Sequence, residues 1–158
     1  MTSKITTCLW FDTEGEEAAE FYCSVIPNSR VTGVERYGEG APRPAGTVMV
    51  VNFELDGRPC MALNGGPDYQ FTEAVSFSVS CADQDEVDHY WSTLSEGGEE
   101  GPCGWLKDHF GVSWQVVPTA IPRLLGSDDP ERSKRVMSAL FAMKKPDIAE
   151  LERAAAEG

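Results

Sequence analysis

Along the chain, hydrophobic positions first cluster, then recur at helical spacing. ITTCLWF (residues 5–11) is rich in β-branched and aromatic side chains and reads as a strand. Behind Asp12 or Thr13, either able to cap a helix, Ala18, Phe21, Tyr22 and Val25 fall on one helical face. Pro27 stops that helix, since proline has no amide hydrogen to continue it. SRVTGVERY (29–37) returns to a strand pattern, and GEGAPRPAG (38–46) is a loop of glycines and prolines. Residues 47–57 and 58–66 then form a predicted hairpin across Asp56-Gly57, a strong turn signal. The first half therefore reads βαβββ.

The second half begins in the same way. Val75, Phe77 and Val79 alternate with small polar residues over 74–81, and Asp83 or Asp85 opens a helix. Its apolar positions Val87, Tyr90, Trp91 and Leu94 repeat the spacing of the first stripe. SEGGEEGPCG (95–104) lacks any alternation and reads as loop, whereas GWLKDHFGVSWQVVP (104–118) reads as strand, turn at Asp108 to Gly111, strand. This repeated order predicts an α+β fold of tandem βαβββ modules, residues 1–68 and 72–122, within one domain over 1–125. A sheet from one module buries a single face on its helix, so pairing the halves would supply a common interior. Residues 126–158 form a C-terminal helical extension. Its first helix starts at Asp128 or Asp129 ahead of Pro130, with Val136, Met137, Leu140 and Phe141 as its apolar face, and a second follows Pro146.

Charge narrows the partners. Thirteen basic against 26 acidic side chains leave a net charge of -13, which repels phosphate backbones and argues against nucleic acid. Residues 130–158 are nearly neutral, with 5 acidic and 6 basic groups, and suit docking on the chain's own body or on a second copy. Five widely spaced cysteines show neither metal-knuckle nor redox spacing, so reduced thiols in a cytoplasmic protein are expected. No signal-peptide pattern opens the chain, and no apolar run approaches the ~20 residues of a membrane span.

Three stretches carry a family resemblance: LWFDTEGEEAAEFYCSVIPNSRV (9–31), GWLKDHFGVSWQVVP (104–118) and PERSKRVMSALFAMKKPDIAELERA (130–154). Together the chain resembles the PhnB-like branch of the vicinal-oxygen-chelate superfamily, whose members are often labelled 3-demethylubiquinone 3-methyltransferase domain proteins. The resemblance implies two βαβββ modules, each giving a curved sheet to a cleft, usually in a homodimer. Relatives include glyoxalases, extradiol dioxygenases and fosfomycin- or bleomycin-resistance proteins, so the fold does not fix the chemistry.

In metal-using relatives a His opens the first strand of a module and a Glu lies on its last. The matching positions here are Ile5, Ser76 and Gln115, with Met61 or Leu63 closing the first module. None is a strong ligand, so neither a family-type metal nor another cofactor is expected. His89 reads as solvated on its helix and His109 as part of a turn. A nucleotide-binding methyltransferase would show a glycine-rich turn from strand into helix, and Gly65-Gly66 leads to proline instead.

The remaining candidates are aromatic and amide side chains: Trp10, Asn64, Gln70, Phe71, Trp105 and Gln115. They would suit a small organic ligand held without metal between the modules, unless the amides only tie down their own loops. Strand alternation puts Trp114 on the opposite face from Gln115, hence in the core. Cys60 and Cys103 have no paired His to activate them. Two alternatives stay open: an enzyme using a different metal site or an acid such as Asp108 or Glu54, and a purely structural protein with a filled cleft.

Overall fold

Residues 3–157 are described by a computed structural model, in which the strand and helix patterns resolve into two four-stranded sheets. The chain divides into two compact units, Met1–Phe71 and Thr72–Gly158.

The first unit runs β1 (Thr7–Phe11), α1 (Gly15–Val25), β2 (Arg30–Arg36), β3 (Val48–Leu55) and β4 (Arg58–Asn64). Its sheet is mixed, in the order β1-β4-β3-β2: β1 lies parallel to β4, and the other neighbours are antiparallel. The β3–β4 hairpin turns at Asp56 (φ 47°) and Gly57 (φ 77°), the left-handed pair that its Asp-Gly sequence favours. Period-two alternation sorts the side chains: Leu9, Phe11, Val51, Phe53, Leu55, Cys60 and Ala62 are buried, while Cys8, Trp10, Met61 and Leu63 point to the other, open face. Buried Ala18, Ala19, Tyr22 and Val25 of α1 complete this core. Phe21, expected on the same stripe, is only half-buried and rests against Tyr22.

The second unit repeats the order with β5 (Ser76–Cys81), α2 (Gln84–Ser95), β6 (Glu99–Glu100), β7 (Trp105–Lys107) and β8 (Ser113–Pro118), in the sheet order β5-β8-β7-β6. The fold is thus the predicted α+β pair of βαβββ modules. Two elements differ from the sequence reading. Glu99–Glu100, read as loop, pairs with β7 as a two-residue strand that no hydrophobic pattern marks. Residues 120–125 form a short helix, α3 (Ala120–Leu125), directly after β8.

α3 packs with α4 (Pro130–Phe141) and α5 (Ile148–Ala156) around Ala120, Ile121, Leu124, Val136, Leu140 and Leu151. The helical extension docks on the second unit itself. The Cys103 and Gly104 amides donate to the carbonyls of Met143 and Lys144, the Gln84 side chain bridges Pro146 and Ile148, and Lys145 pairs with Asp88 at 2.8 Å. Among the described residues no helix is long and apolar enough to cross a membrane.

Candidate functional site

On β8, Gln115 and Trp114 face opposite ways, as alternation requires. Trp114 is 2% exposed, and its indole N–H donates to Asp108 Oδ2 at 2.9 Å. Asp108 Oδ1 accepts from the Phe110 and Val112 amides, so this buried carboxylate closes the β7–β8 turn and orients the tryptophan. Both residues belong to the core side, and Asp108 is occupied there as a structural group. Glu54, the other acid considered, is paired with Arg30 at 3.1 Å.

Gln115 lies on the open face. It is the register partner of Trp105 on β7 and of Ser78 on β5, and its Nε2 donates to Ser76 Oγ at 3.0 Å. Register partners share a face, so Trp105, Gln115 and Ser76 form one patch with Ser113 and Lys107, which are themselves partners. Beside it opens a hollow of 390 Å³ bordered by Glu73, Glu99, Gly101, Trp105, Lys107 and Ser113. Lys107 pairs with Glu73 at 2.5 Å. That hydrogen bond is the main reason the Glu73 carboxyl is held below its ordinary value and the Lys107 ammonium above its own.

In the first unit the candidates separate. Trp10 lies on the open face, its indole donating to the Gly66 carbonyl at 2.9 Å and meeting Tyr69 edge to face at 4.9 Å. A Cβ on Gly65 would run into the same indole, so the Gly65-Gly66 pair serves the seat of Trp10. Arg43 pairs with Asp12 at 3.6 Å. Asn64 is on the opposite, α1-facing side, 6% exposed: its Oδ1 accepts from the Gly15 amide at 2.7 Å and its Nδ2 donates to the Val48 carbonyl. Its amide holds the start of α1 to the sheet and does not join Trp10. Phe71 packs edge to face on Phe11 at 5.1 Å, and Gln70 is exposed. The sequence thus brings Trp105 and Gln115 together, leaves Trp10 on its own sheet, and assigns Asn64 to structure.

Ser113, Lys107 and Glu73, which the sequence did not single out, lie on or beside the same patch. The parallel pairing of β5 with β8 is the signal that groups Ser76 with Gln115, and it requires knowing which strands are neighbours. His89 and His109 are both exposed, His109 stacked near Phe110 at 3.8 Å. Burial pushes the thiols of Cys8, Cys23, Cys60 and Cys103 upward, and that of Cys81 up to about 11, so these cysteines are held as thiols.

The donor set does not fit the superfamily's transition metal. Ile5 has no donor atom and is 81% exposed, while Ser76 and Gln115 are neutral and bonded to one another. Among the described residues no group of three or more His, Cys, Asp or Glu is placed to hold a metal ion.

The chain matches the family described as 3-demethylubiquinone-9 3-methyltransferase over residues 3–117. Among solved structures it is similar to the PhnB protein of Bacillus cereus, described as a candidate 3-demethylubiquinone-9 3-methyltransferase. That relative is 33% identical, with 74% of this chain and 100% of that one covered, at a TM-score of 0.66. Protein PA1353 from Pseudomonas aeruginosa is 21% identical over 74% of this chain and 98% of its own, with a TM-score of 0.61. The Listeria monocytogenes fosfomycin resistance protein FosX, complexed with Mn(II) and sulfate, is 15% identical over 72% and 89%, with a TM-score of 0.50. Those two share the fold. No curated protein matches the chain. With a family match across most of its length and a relative of one-third identity, the chain belongs to the PhnB-like family described as 3-demethylubiquinone-9 3-methyltransferase.

Proposed function

We propose that the protein binds a small organic molecule without a metal, reading it with the open face of the second sheet. The observation that carries this is the Gln115–Ser76 hydrogen bond of 3.0 Å. A neutral amide and a hydroxyl occupy the positions at which the metal-using relatives are expected to hold a carboxylate and an imidazole. Such a pair can exchange its mutual bond for bonds to an uncharged carbonyl or hydroxyl, with Trp105 beside it as an apolar wall. Trp10 on the first sheet's open face is a second aromatic surface of the same kind. Asn64 is left out of the binding set because its amide is used in holding α1, and Gln70 and Phe71 keep a place only as residues at the end of the first unit.

The methyltransferase in the family's description is not adopted. Gly65-Gly66 follows β4 and runs on through residues 67–75 without a helix, whereas a bound nucleotide calls for a glycine turn opening a helix.

The working form in this proposal is a cytoplasmic homodimer. Ile5 and Val75, 81% and 74% exposed, precede the edge strands β1 and β5, where apolar surface and unpaired backbone invite a second chain.

The deciding measurement is elemental mass spectrometry on untagged protein purified without chelator, alongside its mass in solution and a fragment screen observed by NMR. The reading expects metal well below one per chain, a dimer mass, and fragments that shift the Gln115 side-chain amide and lose affinity in Gln115→Ala. One transition metal per chain, retained through dialysis, would overturn it and favour the metal-assisted enzyme.

A further inference from the structure

We propose that the hollow beside Trp105 takes an apolar molecule carrying a protonated amine, with Ser113 as its buried hydrogen-bond partner. This rests on the preceding reading of the open face and adds the chemical class of the ligand.

Ser113 is 1% exposed, yet its Oγ has no hydrogen-bond partner among the described residues. A buried hydroxyl left unpaired costs about 1–3 kcal/mol, so folded proteins rarely keep one without a use. Its pairing with Lys107 places it on the open face, and it borders the 390 Å³ hollow together with Trp105, Pro102 and Gly101. The hydroxyl is therefore available to a guest that the protein's own groups do not replace.

The charges around the hollow select the guest. Glu73, Glu99 and Glu100 border it against a single cation, Lys107. Glu73 is taken by Lys107, and Glu100 accepts the Trp91 indole N–H at 3.2 Å from the α2 side. The Glu99 carboxylate has no hydrogen-bond or salt-bridge partner among the described residues, although it too pushes the Lys107 ammonium upward through space. Three carboxylates against one ammonium leave the rim net negative, on a chain of net charge -13, so anions are repelled and cations concentrated. A tryptophan at the wall adds attraction for an ammonium group. The serine oxygen accepts one N–H of that ammonium, Glu99 balances its charge, and the ligand's apolar body rests on Trp105.

Three probes sharing one ring separate charge from shape: benzylamine, benzyl alcohol and benzoate, titrated into the full chain while the Trp105 indole N–H is followed by NMR. Benzylamine is expected to bind about tenfold more tightly than benzyl alcohol, with benzoate weakest, as one desolvated cation–aromatic contact would give. Ser113→Ala should weaken benzylamine about fivefold, the scale of one hydrogen bond. Glu99→Gln, at an exposed position that leaves folding intact, should bring amine and alcohol together. Benzoate binding as well as benzylamine, or benzylamine binding that ignores both substitutions, would overturn the inference. Neutral or anionic fragments that bind at least as tightly as benzylamine, and that respond to Gln115→Ala but to neither Ser113→Ala nor Glu99→Gln, would sink this inference and leave the binding function standing, whereas no binding anywhere on the face would sink both.

Discussion

In the first module the outer strand β2 runs seven residues, and in the second its counterpart β6 runs two. The helices differ as well. α2 begins with Asp83, whose side chain accepts from the Glu86 amide, while α1 has no side-chain cap of its own and receives Asn64 from the end of the neighbouring strand β4. The first module thus extends its sheet and fixes its helix by a long-range bond. The second shortens its sheet, caps its helix locally and leaves space beside Trp105 that the open face can use. One element order therefore supports two different ways of securing a helix on a sheet, and in the second a hollow opens beside Trp105.

The second module's short strands need a lock, and Asp108 supplies it through three hydrogen bonds within one turn. Asp108→Ala would strip the Phe110 and Val112 amides and the Trp114 indole of their partner inside the core. Hydrogen bonds to a charged group contribute about 1.5–3 kcal/mol each, and the losses overlap, so about 3 kcal/mol or more of stability should go. Urea denaturation measures it. A loss under about 1 kcal/mol would mean that the turn is held by packing and that the two modules are less different than their strands imply.

Much of this comparison was legible in the sequence. Period-two alternation and the Asp56-Gly57 turn locate β3 and β4, and the matching stripes Ala18-Phe21-Tyr22-Val25 and Val87-Tyr90-Trp91-Leu94 announce two equivalent helices. Alternation also separates Trp114 from Gln115 correctly, because it is a local property of one strand. What stayed hidden depends on neighbours distant in sequence. Asn64 and Gly15 are 49 positions apart, and Gln115 and Ser76 are 39 apart. Counting on from Cys60 and Ala62 would have put Asn64 on the buried side, yet nothing local says that its amide meets a helix end. Glu99–Glu100 escaped notice because a two-residue strand of charged side chains is defined by backbone pairing alone.

The contrast in helix capping gives the next effect. Asn64→Ala leaves the Gly15 N–H without its acceptor in a buried setting and frees the Val48 carbonyl, at a cost of about 2 kcal/mol. Asp83→Ala removes an exposed cap that water can replace, at about 1 kcal/mol. Hydrogen exchange should locate the first loss at the start of α1 and the second at the start of α2. Equal losses in the two variants would erase the distinction between long-range and local capping.

The smallest effect concerns the last residue of each module's first strand, Phe11 in one and Cys81 in the other. Both are buried, but only Cys81 titrates. Burial above all, then the nearby carboxylates of Glu86 and Asp83, push its thiol from the ordinary 9.0 up to about 11, against a smaller opposing pull from a backbone hydrogen bond at Val117. The unfolded chain releases this proton first as pH rises. The stability that the neutral, folded thiol contributes is therefore complete below pH 9.0 and fades on the way to about 11. Wild type and Cys81→Ala should then differ by a constant amount up to pH 9.0 and converge above it, as the wild type loses a term that the variant lacks. Denaturation curves for the two proteins at stepped pH test this. Curves that stay parallel through the whole range would show that the end of β5 is open enough to solvate a thiolate, unlike the Phe11 end of β1.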